Sequence, residues 1–299
     1  MRVGPGARQT VRMRGRAPIA ALALAITLAL VGTGCDGGDE GSETTPPAST
    51  ATEPQPDPPT TDATASQVRV YLVRGEHVGP VSRAVEGEAV LRGALEQLVA
   101  GPAPADEAAG LTTALPEGVE VLDVSIADGT ATIDLSSAFD DGGGSLSMFL
   151  RLAQLVHTAT QFPSVERVAL RIDGEPVTTF SGEGIELPAT LTRADVAEQT
   201  PAILVESPLP GERITSPLRV AGTADTFEAT VEWELVAADG TVLASGFTTA
   251  TCGTGCRGSF AIDEPFTGSG AATLRLFERS AKDGSETKVV EIPVELGAV

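Results

Sequence analysis

Residues 12–35 decide what the rest of the chain can be. Arg2, Arg8, Arg12, Arg14 and Arg16 are placed without an acidic residue among them, an apolar run covers 17–31, and Gly32-Thr33-Gly34-Cys35 closes the stretch. Positive charge, then an apolar core, then small residues is the order of an export signal. The apolar run of about 15 residues spans roughly 22 Å as a helix, short of the 20 or so residues that cross a bilayer stably. The segment is therefore expected to be a signal, not an anchor, and the chain beyond it is expected to fold in the cell envelope, where disulfides persist.

The end of this stretch resembles the lipobox of bacterial lipoproteins, in which two small residues precede a cysteine. The departure lies three positions upstream, where the family usually has leucine and this chain has Gly32, with Leu30 and Val31 displaced further back. The resemblance implies removal of residues 1–34, a diacylglyceryl group on Cys35, and a site on the outer face of the cytoplasmic membrane. Acyl chains bury methylenes at about 0.8 kcal/mol each, so two of them anchor stably without a spanning helix. Simple cleavage nearby and an uncleaved membrane helix are the alternatives.

With 299 residues and 41% hydrophobic content, the chain has room for two ordinary domains after the signal. Aromatics are only 4%, so the cores must be built mainly from Val, Leu, Ile and Ala. The net charge of −21 repels nucleic acid and anionic headgroups and argues against a DNA or RNA partner. From 36 to 66 there are six prolines, seven threonines, seven acidic residues and no basic one. Such a composition cannot bury enough apolar surface to offset its ordering entropy, so residues 35–66 are expected to be a disordered acidic stalk.

The first folded region, residues 67–194, opens with an apolar-polar run over 68–73 that reads as a strand. Residues 88–99 read as a helix with Leu91, Ala94, Leu95 and Leu98 on one face and Gly101-Pro102 as its stop. Strands over 119–126 and 130–135 are separated by Asp128-Gly129, a hairpin signal because both turn positions favour positive φ. Ser145 is placed to cap a second helix running to about Phe162, and 165–172 reads as a last strand. The order β-α-β-β-α-β predicts two helices on one face of an antiparallel sheet.

Val-Arg-Val-Tyr-Leu-Val at 68–73, Ala-Leu-Glu-Gln-Leu-Val-Ala-Gly-Pro at 94–102, Ala-Leu-Pro-Glu-Gly-Val at 114–119, Ala-Thr-Ile-Asp-Leu-Ser at 131–136 and the run 153–165 through His157 together resemble the GerMN domain of bacterial sporulation and spore-germination proteins. The resemblance is dispersed over every element. His157 stands where a tyrosine is expected. The family includes envelope lipoproteins of non-sporulating bacteria, so an envelope role without spores is within what the resemblance implies.

Residues 195–201 show no apolar period and read as a link. Beyond it the period is two: Val231, Trp233 and Leu235 alternate with polar residues, as do Leu274 and Leu276, and Val290, Ile292, Val294 and Leu296. Asp239-Gly240 and Asp283-Gly284 mark turns, and about seven short strands fit residues 202–296, the count of an immunoglobulin-like sandwich. Pro293 can donate no ladder bond, so its strand is expected at an edge or bulged. Trp233 is expected in the core. Ser-Pro-Leu-Pro-Gly at 207–211, Ser-Pro-Leu-Arg-Val-Ala-Gly-Thr-Ala at 216–224, Phe227-Glu228 and 278–285 resemble the immunoglobulin-like domain of bacterial spore-germination proteins, which often follows a GerMN domain. The fold class is thus α+β, with a two-layer domain followed by an all-β sandwich.

Signals for chemistry are sparse. Cys252 and Cys256 in Cys-Gly-Thr-Gly-Cys read as a disulfide closing a tight loop, with zinc or redox chemistry as alternatives. His157 falls on an apolar helix face and His77 in a loop beside Glu76; no nucleophile elbow, His-Glu-x-x-His or phosphate loop is present. No metal or cofactor is expected. Asp123, Asp134, Asp140, Asp141 and Glu117 are the candidates for a peptidoglycan hydrolase working through paired carboxylates, although 41 acidic residues make pairs by chance and Asp134 is placed to cap a backbone turn. The preferred reading is a non-catalytic, lipid-anchored binding module whose partners are envelope proteins, peptidoglycan or further copies of itself.

Overall fold

A computed structural model describes residues 65–182 and 184–297. Cys35, the signal at 1–34 and all but the last two residues of the expected stalk lie outside the described residues. No helix among the described residues is long and apolar enough to cross a membrane.

The first domain begins with β1 (Ser66–Arg74) and β2 (His77–Val85), an antiparallel hairpin in continuous register from Ser66↔Val85 to Arg74↔His77. His77 therefore starts a strand and is not in a loop. Gly75, at φ 64°, supplies the positive-φ turn that the sequence hides between two polar residues. Helices α1 (Val90–Val99) and α2 (Pro104–Ala108) follow. Strands β3 (Val121–Ala127) and β4 (Thr130–Leu135) form the expected hairpin, with Asp128 at φ 48° and Gly129 at φ 73°. After α3 (Ser145–Ala159), β5 (Arg167–Ile172) returns parallel to β4. The two-residue strands β6 (Glu175–Pro176), β7 (Thr179–Phe180) and β8 (Ile185–Glu186) complete the domain.

The sheet differs from the expected antiparallel layer. β1 pairs with β2, and the strands β3-β4-β5-β6 form a separate sheet in which β4 and β5 are parallel. The long α3 crossover makes the parallel pair possible, since neighbouring parallel strands need a connection of a dozen or more residues. Gly144, not Ser145, occupies the N-cap of α3. The helix is buried on nearly every side from Leu150 to Ala159, because β1, α1 and the link to the second domain all pack on it. Leu146, in the first turn of the helix, is 46% exposed.

The second domain contains β9 (Ile203–Ser207), β10 (Arg213–Ile214), β11 (Leu218–Ala224), β12 (Thr230–Ala237), β13 (Val242–Thr249), β14 (Gly258–Glu264), β15 (Gly270–Arg279) and β16 (Glu286–Leu296). They form two sheets ordered β10-β16-β15-β12-β13 and β14-β11-β9. Val231, Trp233, Leu235, Leu274, Leu276 and Phe260 fill the space between them. Pro293 is paired with Thr273 of β15, while β10 joins the other side of β16 only at Glu295 and Leu296, so the proline occupies an edge position.

Strand β9 belongs to both cores. Ile203 and Val205 are buried in the sandwich, whereas Leu204, pointing the other way, is 2% exposed within the core of the first domain. The period-two alternation of a strand here bolts one domain onto the other.

Candidate functional site

Tyr71, on β1, presents its hydroxyl to the joint between the domains, where it donates to Glu206 Oε1 of β9 at 2.5 Å. Arg193 Nη1 donates to the same oxygen at 2.9 Å, and its guanidinium lies 5.9 Å from the Tyr71 ring centroid. Arg193 is held from behind by Thr160 at the end of α3, which accepts from Nε at 2.8 Å. Burial and the neighbouring Glu206 carboxylate raise the Tyr71 pKa well above its ordinary value. Burial alone would raise Glu206, but the Arg193 guanidinium and the hydrogen bonds from Tyr71 and Arg193 outweigh it and hold the carboxyl below the usual glutamate range.

His157 also packs against Tyr71, ring centroids 5.0 Å apart, with its Nε2 2.9 Å from Thr200 Oγ1. Thr200 Oγ1 also contacts the Val196 carbonyl at 3.1 Å, which takes its only hydrogen. The imidazole must then be the donor through Nε2–H, leaving Nδ1 as a bare lone pair, buried and without a hydrogen-bond partner among the described residues. Burial, with Arg193 and Arg257 nearby, drives the His157 pKa well below its ordinary value, so the ring is neutral. The linker is no passive tether: a 3-10 turn over Arg193–Gln199 buries Val196 and Gln199.

The disulfide Cys252–Cys256 is formed, and the next residue grips the same link. Arg257 Nη2 donates to the Pro201 carbonyl at 2.7 Å and Nη1 to Thr223 Oγ1 at 3.1 Å. The cysteine loop is itself tied down, with Gly255 N donating to Asp225 Oδ1 at 3.0 Å and Thr254 N to the Thr226 carbonyl at 2.9 Å.

Beside this joint runs a groove. One part, of about 490 Å³, has an apolar floor of Val78, Leu111, Ile203, Val205 and Ile292 and carries Arg74 and His77. It continues past Arg74, Leu111, Pro210 and Glu291 into a second part of about 560 Å³ that reaches Arg83 and Asp106, which are paired with each other.

Two of the carboxylates singled out for hydrolysis, Asp134 and Asp140, bond to the backbone of turns. Asp123 and Asp134 face each other in the β3–β4 register, but Asp134 Oδ1 accepts from Gly174 N at 3.0 Å, in the Asp173-Gly174 turn. Asp140 Oδ1 accepts from Ser181 N at 2.5 Å. Among the described residues no three His, Cys, Asp or Glu side chains are grouped to hold a metal.

Residues 59–178 match the family described as sporulation and spore germination, and residues 202–285 match the immunoglobulin-like domain of bacterial spore germination. The chain carries a GerMN domain followed by a spore-germination immunoglobulin-like domain. Its relation is therefore to sporulation and spore germination, and these families are not known enzymes. Among solved structures it is similar to the first GerMN domain of the sporulation protein GerM from Bacillus subtilis, at 28% identity over 44% of this chain and 99% of that one, with a TM-score of 0.37. The tandem GerMN domains of that protein match at 18% identity over 68% of this chain and 62% of that one, with a TM-score of 0.38. A putative lipoprotein from Clostridium perfringens matches at 20% identity over 45% of this chain and 91% of that one, with a TM-score of 0.33. No match is found among curated proteins.

Sequence patterns pointed to His157 but not to its setting. Of the residues that join the GerMN domain to its immunoglobulin-like neighbour, Arg193, Glu206 and Arg257 carried no motif, and Tyr71 stood only within the run 68–73 that resembles the family. The one available signal was that Tyr71 is the sole tyrosine in the chain and sits in a strand whose neighbours on both sides are apolar.

Proposed function

We propose that this protein is a lipid-anchored, non-catalytic binding module of the cell envelope, held to the membrane through Cys35 and presenting its two domains as one body to envelope proteins or peptidoglycan. The observation that carries the binding reading is the joint itself. Leu204 shares the first core, and Tyr71, His157, Arg193 and Glu206 are all consumed in holding the domains together. A neutral, buried histidine and a carboxylate bonded to both a tyrosine and an arginine are poor acid-base groups but a good clamp. A fixed pair of domains offers a preformed groove, which lowers the ordering cost of binding.

The anchoring half of the reading rests on the order Gly32-Thr33-Gly34-Cys35 and is tested apart from the other. Cells fed a clickable fatty acid should label the wild-type protein and not Cys35→Ser, and the variant should leave the membrane fraction. Full retention of Cys35→Ser in that fraction would exclude the anchor. The binding half is tested by incubating the protein with purified sacculi and with crosslinked envelope extract. Retention without release of soluble muropeptides is expected; muropeptide release would instead revive the paired-carboxylate hydrolase.

A further inference from the structure

The groove between the domains is bordered by two strands that, among the described residues, lack a partner along most of their outer sides. Among the described residues β2 is paired only with β1, and β16 has a strand on its outer side only at Glu295 and Leu296, with Gly211 N bonded to the Pro293 carbonyl just before them. Gly79 and Pro80 of β2 and Val289 to Ile292 of β16 line the groove. Pro80 lacks an N–H group, which keeps this border from pairing indiscriminately, while the Pro293 carbonyl already accepts from Gly211 N at 2.8 Å, so the open stretch of β16 ends before it. From His77 to Arg83 the β2 side runs about 20 Å at the rise of an extended chain, the length of some six or seven residues.

The groove also has a definite charge. Asp106 is paired with Arg83, and Glu291 with Arg275. Arg74, common to both parts of the groove, donates to the Ala109 carbonyl at 3.0 Å and makes no ion pair among the described residues. It is an uncompensated cation beside an apolar floor, in a chain of net charge −21.

We propose that the groove binds an extended peptide segment by strand addition, with apolar side chains against Leu111, Ile203 and Ile292 and one carboxylate of the peptide set against Arg74. Strand addition supplies affinity through main-chain bonds, and the pockets for alternate side chains supply selectivity. The overall negative charge opposes an acidic peptide at long range, but at physiological salt that repulsion is screened beyond about 8 Å, whereas a contact ion pair at Arg74 is weakened less. The inference rests on the reading of the protein as a binding module and names the class of its ligand.

The test uses the full-length protein in detergent at 0.15 M salt and fluorescent heptapeptide pools in which alternate positions vary among Val, Ile, Leu and Phe. One pool has a central Glu and an amidated end, one a central Gln and an amidated end, and one a central Gln and a free C-terminal carboxylate. We expect at least one carboxylate pool to bind tenfold or more tighter than the amidated Gln pool, and Arg74→Gln, with an unchanged melting temperature, to abolish the difference. Which carboxylate pool wins tells a side-chain from a C-terminal source. Backbone amide shifts on binding should fall in β2 and β16. Equal binding of the three pools, no binding, or a preference that survives Arg74→Gln overturns the proposal. Retention on sacculi or envelope extract by a protein that fails this test would leave the broader binding reading intact, and loss of both would remove it as well.

Discussion

Tyr71 and Glu206 are 135 positions apart in the chain, yet the tyrosine hydroxyl and a carboxylate oxygen meet at 2.5 Å where the two domains join. The bond is charge-assisted and largely shielded from water, the setting in which such a bond contributes most. Tyr71→Phe removes one donor and leaves Arg193 on the carboxylate, so it should lower unfolding stability by about 1–3 kcal/mol. Glu206→Ala leaves both a guanidinium and a hydroxyl unpaired and should cost about 3–5 kcal/mol. The two changes share a partner, so the double variant should be less destabilised than the sum. Urea unfolding of the three variants checks the values, and strictly additive losses would show that the pair is not coupled.

The immunoglobulin-like half was legible from its sequence because period-two alternation around Trp233 and Leu274, with Asp-Gly turns, leaves few other folds. The joint was not. Residues 70–73 are buried on both faces, so β1 shows no clean alternation, and Tyr71 reads as an outward polar position. Strand β2 was missed because Gly79 and Pro80 interrupt its pattern, and the parallel β4–β5 pair depends on a crossover that local patterns do not specify. The contacts of Arg193, Glu206 and Arg257 join positions far apart in the chain and carry no local signature.

The neutral His157 makes stability depend on pH in a stated direction. Burial, then the charges of Arg193 and Arg257, lower its folded pKa far below its ordinary value. The unfolded chain therefore takes up a proton below about pH 6.5 that the folded chain refuses. Stability from this group is complete above that pH and falls by about 1.4 kcal/mol per unit below it, down to the folded pKa. Glu206, whose folded pKa is also depressed, adds a loss in the same sense only below the ordinary glutamate value. His157→Phe should erase the slope between pH 6.5 and 5 while keeping the later fall. Calorimetry across that range decides the point, and an unchanged slope in the variant would refute it.

The cysteine loop should act on the link rather than on the whole domain. A loop this short constrains little chain entropy, so Cys252→Ser with Cys256→Ser should cost only about 1–2 kcal/mol. Its effect on Arg257 should be larger locally, because Asp225 and Thr226 hold the loop in place through Gly255 and Thr254. Hydrogen exchange at residues 199–203 should speed up several-fold in the double serine variant and in Arg257→Ala, with exchange in β12 and β15 unchanged. Equal acceleration throughout the sandwich would mean a global loss of stability instead.

Arg151 offers the sharpest test of how α3 is held. The residue is 3% exposed, yet among the described residues it has no carboxylate in contact; Nε, Nη1 and Nη2 donate to the carbonyls of Ala114, Phe139 and Gly142 at 2.9, 2.8 and 2.8 Å. Two connecting segments, one at Ala114 and one from Phe139 to Gly142, are thus gathered on one planar group, with burial lowering its pKa against the more distant pull of Asp140 and Asp141. A guanidinium delivers donors in a rigid fork, which a lysine ammonium cannot copy. Arg151→Lys should therefore fail to rescue, losing about 2–3 kcal/mol, and Arg151→Met, which leaves the carbonyls without any donor, about 3–5 kcal/mol. Thermal unfolding of both variants is the measurement. A lysine variant as stable as wild type would show that charge alone, and not the geometry of the fork, holds these loops to the helix.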